Sequence, residues 1–397
     1  MKIGVIGGGI VGLTTAYYLL KNGHEVAIFE KHGDVSQQAS FGNGGQLSYS
    51  YIQPFASPTI LKQAIGSFFT NLPYAIDRAA LIKNASWVYN YIRNCNNSSF
   101  YQTATRLHEI CLLSASGFEE ICHDLPDIQI QNNGKIVLYS SESSFNGNDE
   151  WMAFLAKNGI ETRRIKQQKL KHIDPCLENL AGSYYGGLYT PNDAYIDPLK
   201  FSKQLLNYLS IKYQNKFEIL FNKTSKLLIE DRVAIGITAA EINYNFDTVV
   251  VCAGLDASSM GIGCNIIPIR GYSLTYSIDE SLQSGVSITD YSKRCLLSNA
   301  GNSIRATAGA DFVGLNNYIS PEKWQELENF AIRTHPHIAN ITPTKWVGFR
   351  PLTPSSFPVI EKAREVENLY INSGHGGLGV TLSVGSARYL VNLLDSN

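Results

Sequence analysis

Met1-Lys2-Ile3-Gly4-Val5-Ile6-Gly7-Gly8-Gly9-Ile10-Val11-Gly12 opens the chain, and the fold is decided by how it is read. Residues 3–6 are an apolar run of strand length, and Gly7, Gly9 and Gly12 follow with G-x-G-x-x-G spacing. Gly12 opens an Ala/Leu/Tyr-rich helix expected to end at Asn22-Gly23, and a second strand over 25–29 finishes on Glu30. In such a βαβ unit Gly7 allows a sharp turn, Gly9 lets backbone approach a pyrophosphate, and Gly12 lets helix and strand pack closely. The helix N-terminus offers unpaired N–H groups and a positive dipole end to phosphates. Glu30 is placed to accept hydrogen bonds from a ribose diol. The spacing alone is weak evidence. Gly374-His375-Gly376-Gly377-Leu378-Gly379 matches it too, with no second strand after it. The N-terminal match has strand, turn, helix, strand and terminal acid together, which points to a dinucleotide.

At 397 residues the chain is too long for one compact core and suggests two domains. A content of 44% hydrophobic and 17% charged residues is that of a globular protein. The net charge of −1 and the scattered lysines and arginines argue against nucleic acid as a partner. Cys95, Cys111, Cys122, Cys176, Cys252, Cys264 and Cys295 contain no C-x-x-C pair, so no metal site is expected. Dispersed and odd in number, they read as reduced thiols of a cytoplasmic protein. Glycines interrupt the apolar N-terminus, so no signal peptide is expected, and no run approaches the ~20 residues of a spanning helix.

Ser40-Phe41-Gly42-Asn43-Gly44-Gly45-Gln46 is a glycine-rich loop able to sit against something flat or phosphorylated; a plain surface loop is the alternative. The stretch 55–101 is aromatic (Phe55, Phe68, Phe69, Tyr74, Trp87, Tyr89, Tyr91, Phe100, Tyr101). It reads either as helices covering a second domain or as a contact with a membrane surface or partner. Helices are expected over 60–65, 87–92, 106–121, 151–157, 197–209, 320–334 and 381–394. Strands are expected over 135–139, 248–252, 266–269, 272–277, 303–308 and 368–372, with a strand pair over 184–191. The segments 217–221, 225–229, 233–237 and 242–246 read as a small antiparallel set. The strand at 248–252 ends in Ala253-Gly254 and returns the sheet to the nucleotide side.

Five segments spread along the chain carry a resemblance. They are Ser40 to Gln46, Ile92-Arg93-Asn94-Cys95, Gly187-Leu188-Tyr189-Thr190-Pro191-Asn192-Asp193, Arg270-Gly271-Tyr272-Ser273-Leu274-Thr275, and Gly348-Phe349-Arg350-Pro351-Leu352-Thr353-Pro354 preceding the 374–379 loop. Together they resemble the FAD-dependent family that includes D-amino-acid oxidase, glycine oxidase and sarcosine oxidase, and within it the bacterial D-amino-acid dehydrogenase branch. The resemblance implies an α/β (α+β mixed) fold, a Rossmann-like FAD-binding domain with an interleaved antiparallel-sheet substrate domain. The expected bounds are 1–54, 195–265 and 345–397 for the first and 55–194 and 266–344 for the second. It implies noncovalent FAD held by Gly7, Gly8, Gly9, Ile10, Val11, Gly12, Glu30 and Lys31, by Ser40, Asn43, Gly44, Gly45 and Gln46, by Ala253 and Gly254, and by Gly374, His375, Gly376, Gly377, Leu378 and Gly379.

The resemblance also implies that Arg350 grips a substrate carboxylate, a role that suits a planar guanidinium able to take a carboxylate in a two-point fork. Read without the resemblance, an arginine beside a proline is more often a surface or interdomain charge. Arg305 is a weaker second cation, and Tyr272 a residue able to hydrogen-bond substrate or flavin unless it is core. His375, in a Gly-His-Gly-Gly turn, is read as orienting backbone rather than as a base. The implied chemistry is oxidation of a D-amino acid to its 2-oxo acid and ammonia. Hydride passes from Cα to flavin N5, and electrons go on to an acceptor such as a membrane quinone, with peripheral contact on the inner face of the plasma membrane. Rival readings are an oxygen-using oxidase of secondary or cyclic amines (sarcosine, glycine or proline type) and a non-catalytic flavin subunit. Two departures stand out. Gly42 and Gly44 replace alanines and are expected to loosen their loop, and Ser355-Ser356-Phe357 replaces an Asp-Gly pair.

Overall fold

The computed structural model describes residues 1–66, 75–128, 130–279, 285–299 and 301–396, so Phe68, Phe69 and Tyr74 lie outside the described residues. Lys2–Ile6 lies at the centre of a six-stranded sheet. It pairs in parallel with Glu25–Phe29 on one side and Thr248–Val251 on the other, and beyond these lie Phe217–Leu220 and Leu369–Ser373. Val359–Lys362 closes one edge in the antiparallel sense. Alternation along these strands separates two cores. Ile3, Val5, Val26, Ile28 and Val250 face the helices Ile10–Lys21, Asn97–Asp124, Pro198–Lys212 and Gly379–Asp395. Ala27, Phe29, Val249 and Val251 face a three-stranded antiparallel sheet of Ser225–Glu230, Val233–Ala239 and Ile242–Asn245.

The second layer is an eight-stranded sheet. Its order is Thr344–Leu352, Ile267–Ser277, Ser303–Asp311, Cys295–Asn299, Ser287–Asp290, Lys135–Tyr139, Gly186–Thr190 and Arg163–Lys166. It is antiparallel apart from the parallel pair Ser287–Asp290 and Lys135–Tyr139. Helix Pro321–Thr334 packs behind it through Leu327, Phe330 and Ala331.

Several elements differ from the sequence reading. Phe217–Leu220 leaves the small antiparallel set and joins the parallel sheet. Helix Pro198–Lys212, started by the Asp197 cap and Pro198, carries the chain over to pair Phe217 with Val26. The 184–191 segment is one strand, Gly186–Thr190, whose second partner is Arg163–Lys166. Strand Ile267–Ser277 runs on through Gly271, because Thr344–Leu352 supplies a continuous ladder on one side, while the ladder to Ser303–Asp311 shifts register between Arg270 and Tyr272. The helix expected over 106–121 spans Asn97–Asp124, with the Asn96 side chain accepting from the Ser99 N–H. Two elements pack across the expected domain bounds: Asn97–Asp124 joins the nucleotide-side core, and Thr344–Leu352 is an edge strand of the second sheet.

Candidate active site

A cavity of about 1790 Å³ lies where the C-terminal ends of the parallel strands meet the second sheet. Because Lys2–Ile6, Glu25–Phe29, Thr248–Val251 and Leu369–Ser373 run the same way, Gly7, Glu30, Ala253 and His375 come to one edge, as in other open α/β sheets. The volume exceeds the ~300–1,000 Å³ of ordinary small-molecule pockets, and so leaves room for a dinucleotide together with a small substrate.

Helices Ile10–Lys21 and Gly379–Asp395 both begin at this cavity, without a side-chain cap and without an acidic residue in the first turn. Two open helix N-termini make an anion site. The three glycines of the first turn have different causes. Gly7 holds φ +109°, and a Cβ on it would lie 2.6 Å from the Cys252 carbonyl oxygen. A Cβ on Gly12 would lie 1.9 Å from the Gly7 oxygen. Gly9 has an ordinary φ of −72°, and a Cβ there meets no protein atom within 4 Å. Neither backbone nor packing among the described residues requires that glycine, and the space beside it opens into the cavity. Glu30 is buried and accepts from the Gly8 and His32 N–H groups at 2.7 and 2.8 Å. The Gln46 amide nitrogen and the Asn372 amide oxygen are buried without a hydrogen-bond partner among the described residues, and both residues line the cavity. These groups fit FAD.

Of the residues expected to hold cofactor, Gly7, Gly9, Ile10, Val11, Glu30, Lys31, Ser40, Asn43, Gly44, Gln46, Ala253, Gly254, His375, Gly376, Gly377, Leu378 and Gly379 line the cavity. Gly8, Gly12, Gly45 and Gly374 do not. Gly8 backs onto Glu30, and a Cβ on Gly45 or Gly374 would meet Ile196 O or Thr353 Cγ2 at 2.2 or 2.6 Å, so these glycines serve turns and close packing. Lys31 pairs with Asp256 at 2.5 Å on the rim. His375 is buried with Nε2 3.0 Å from Ser386 Oγ, which also lies 3.1 Å from the Ser383 carbonyl oxygen. Burial lowers the ring to about 3. The histidine stays neutral, and its contact with Ser386 ties the turn to the helix that follows.

Gly42 and Gly44 do not loosen the 40–46 loop. A Cβ on Gly42 would lie 1.9 Å from the Trp346 ring, and one on Gly44 would lie 2.7 Å from Leu296, so the second sheet fills the space that alanines would take. Arg305 corrects the sequence reading. It does not line the cavity, because its guanidinium donates to the Phe41 and Asn43 carbonyls at 3.1 and 2.7 Å and to Thr275 Oγ1 at 3.0 Å. Tyr272 reaches the cavity wall, but its ring is 6% exposed and packs edge-on against Trp324, and burial keeps its proton on.

Arg350 does line the cavity. It sits opposite Ile269 on the neighbouring strand, and its guanidinium lies over Gly271, where a Cβ would be 2.8 Å from Cζ. Its Nη1 donates to the Gly309 carbonyl. The nearby carboxylate, Asp311, is fully buried and already engaged by Arg270 at 2.7 Å, Lys323 at 2.8 Å and the Ala75 N–H at 2.8 Å. Arg350 therefore has no ion-pair partner among the described residues. The sequence reading missed Lys135, a buried lysine of the cavity wall. Its Nζ is 4.0 Å from the Tyr51 ring centre and 3.4 Å from Ser48 Oγ, and burial lowers it to about 8 against the opposing pull of Asp193. The available signal was a lysine opening an otherwise apolar strand after an Asn-Gly turn.

The FAD dependent oxidoreductase family matches residues 2–393, and the chain belongs to it. It is 29% identical to D-amino acid dehydrogenase 2 of Ralstonia nicotianae, over 99% of this chain and 96% of that protein. Its fold matches glycine oxidase from Bacillus cereus (TM-score 0.75, 18% identity, 99% of this chain and 97% of that one). It also matches L-proline dehydrogenase from P. horikoshii (TM-score 0.74, 17% identity, 100% and 93%). The protein is thus an FAD-dependent oxidoreductase of the amino-acid dehydrogenase and oxidase type, with FAD as its cofactor.

Proposed function

We propose that this enzyme oxidises the Cα–N bond of a D-amino acid, giving an imine that water hydrolyses to a 2-oxo acid and ammonia. The observation that carries the reading is Arg350, a partly buried cation in the cavity wall whose neighbouring carboxylate is already engaged by two other cations. An uncompensated charge in such a place calls for an anion. A substrate carboxylate satisfies it, and the two-point fork fixes the direction of the Cα–H bond. The choice of a D-amino acid rests on the dehydrogenase relative.

Noncovalently bound FAD supplies the hydride acceptor. The chain's own residues supply position. Gly271 lets the guanidinium lie flat on its strand, while His375, held neutral, and Tyr272, held protonated, leave the substrate amine as the group that must lose a proton. Anaerobic bleaching of the flavin against a panel of D- and L-amino acids tests the reading. Bleaching by D-amino acids with one ammonia per turnover is expected, and no bleaching by any of them would sink it. Arg350→Ala should raise KM about tenfold to a hundredfold with FAD still bound, the loss of a charge-assisted pair.

We further propose a membrane quinone as acceptor. Helices Arg78–Lys83 and Ala85–Asn94 expose Ile82, Tyr89 and Ile92 at 78%, 62% and 50%, with Arg78, Lys83 and Arg93 beside them. An apolar stripe ringed by cations suits an anionic lipid surface. The Trp87 indole N–H donates to the Leu352 carbonyl at 3.0 Å, tying this face to the strand that carries Arg350. No helix among the described residues is long and apolar enough to cross a membrane. The double variant Ile82→Glu, Ile92→Glu should stop cosedimenting with anionic vesicles while still reducing a soluble dye. Steady peroxide release with no reduction of a quinone analogue would favour the oxygen-using alternative.

A further inference from the structure

The 40–46 loop is held from behind by the second sheet, and its carbonyls show how. Phe41 O and Asn43 O both accept from Arg305 Nη1, at 3.1 and 2.7 Å. Gly44 O accepts from the Ser298 hydroxyl, and Gly45 O from the Ile196 N–H at 2.9 Å. The Arg305 Nε–H donates to Thr275 Oγ1 at 3.0 Å, and Thr275 is the cross-strand partner of Arg305, so the guanidinium is fixed to the sheet. Burial opposes its charge, which has no ion-pair partner within 4.0 Å among the described residues; the Asp197 carboxylate favours it from farther off.

A trans peptide is planar, and its C=O and N–H point in opposite directions. Turning the Phe41 and Asn43 carbonyls toward Arg305 therefore turns the Gly42 and Gly44 N–H groups away from it. Gly42 and Gly44 line the cavity, whereas Arg305 does not. Neither of these two N–H groups has a partner among the described residues. The amides between and beside them do: Asn43 N–H reaches Ser40 O, and Gly45 N–H reaches the Asn43 side chain. A charged donor on the carbonyl also polarises each peptide and strengthens its N–H.

We infer that Arg305 is a positioning residue. From the second sheet it aims the Gly42 and Gly44 N–H groups into the cavity as a pair of donors for negatively polarised oxygens of FAD. This inference rests on FAD dependence and is independent of the substrate assigned above. Those oxygens belong either to the flavin ring or to the pyrophosphate, and the same donors suit both.

The test compares parent, Arg305→Ala and Arg305→Lys proteins. FAD and ADP affinities of the apoprotein are read by fluorescence and calorimetry, and the midpoint potential of the bound flavin by dye equilibration. Arg305→Ala should weaken FAD about tenfold or more, the equivalent of misdirecting two amide donors. Arg305→Lys, which keeps the charge but not the fork, should fall between. Millimolar guanidinium should restore the alanine variant, and urea should not. A lowered potential with unchanged ADP affinity places the donors on the flavin, and weakened ADP with unchanged potential places them on the pyrophosphate. Parent-like FAD affinity, ADP affinity and potential in Arg305→Ala would overturn the inference, as would equal rescue by urea. If that variant does not fold, Thr275→Val, which only frees the guanidinium, should still weaken FAD severalfold, and an unchanged affinity there counts equally against it.

Discussion

Gly9 is the residue at which ligand and fold make separable demands. Its neighbours Gly7 and Gly12 are required by the protein itself, through a positive φ and a 1.9 Å approach. Gly9 is free of both constraints, so Gly9→Val should leave stability close to the parent and yield colourless apoprotein. The measurement is the flavin absorbance per chain alongside a thermal melt, and a yellow, fully loaded variant would contradict the assignment. Arg350 and Arg305 make the same point from the other side. Both are arginines on strands of one sheet, yet one faces the cavity and the other holds a loop from behind. Nothing in the residues flanking each separates these roles.

At the scale of elements, the contact between helices Asn97–Asp124 and Gly379–Asp395 carries the cavity's second helix N-terminus. It is close because Gly385 has no side chain: a Cβ there would lie 2.1 Å from the Ile110 carbonyl oxygen, and its N–H donates to the Ser114 hydroxyl oxygen at 2.7 Å. Gly385→Ala should therefore destabilise the protein by about 1–3 kcal/mol in chemical denaturation, the usual range for overpacking. It should weaken FAD indirectly, and an unchanged midpoint would show that the helices can separate at little cost. The loop that departs from the relatives' Asp-Gly pair is also defined. Ser356 takes φ +68° and its hydroxyl accepts the Ala56 N–H at 2.8 Å, which links it to the chain entering the second layer. Most helices were legible from their caps and periodicity. The strands Ser287–Asp290 and Cys295–Asn299 were not, because short strands draw their identity from neighbours remote in sequence.

For the whole molecule, two buried neutral histidines link folding to pH. Burial lowers His335 to about 4 and His375 to about 3, both below the ~6.5 of an unfolded histidine. Between those limits the unfolded chain binds more protons than the folded one, so stability is full above about pH 6.5 and declines as the pH falls below it. Over the first unit of acidification the two together should cost about 2 kcal/mol. Denaturation midpoints at two pH values on either side of 6 would check this, and His335→Gln should flatten the dependence. A midpoint that rises on acidification would contradict it.

The cofactor half of the site was readable from sequence because a βαβ unit is local. Turn, helix start and terminal acid lie within thirty residues of one another, and glycine spacing reports their geometry directly. The far glycine loop could be paired with it only through a resemblance. Its meeting with the first turn depends on Leu369–Ser373 entering the same parallel sheet as Lys2–Ile6, on the far side of Thr248–Val251. Which arginine faces the cavity, which one holds the loop from behind, and that Lys135 reaches the cavity at all were decided by tertiary structure alone. Strand register and the packing of one sheet against another choose the face and the partner of a charged side chain, and those choices are made by residues hundreds of positions away.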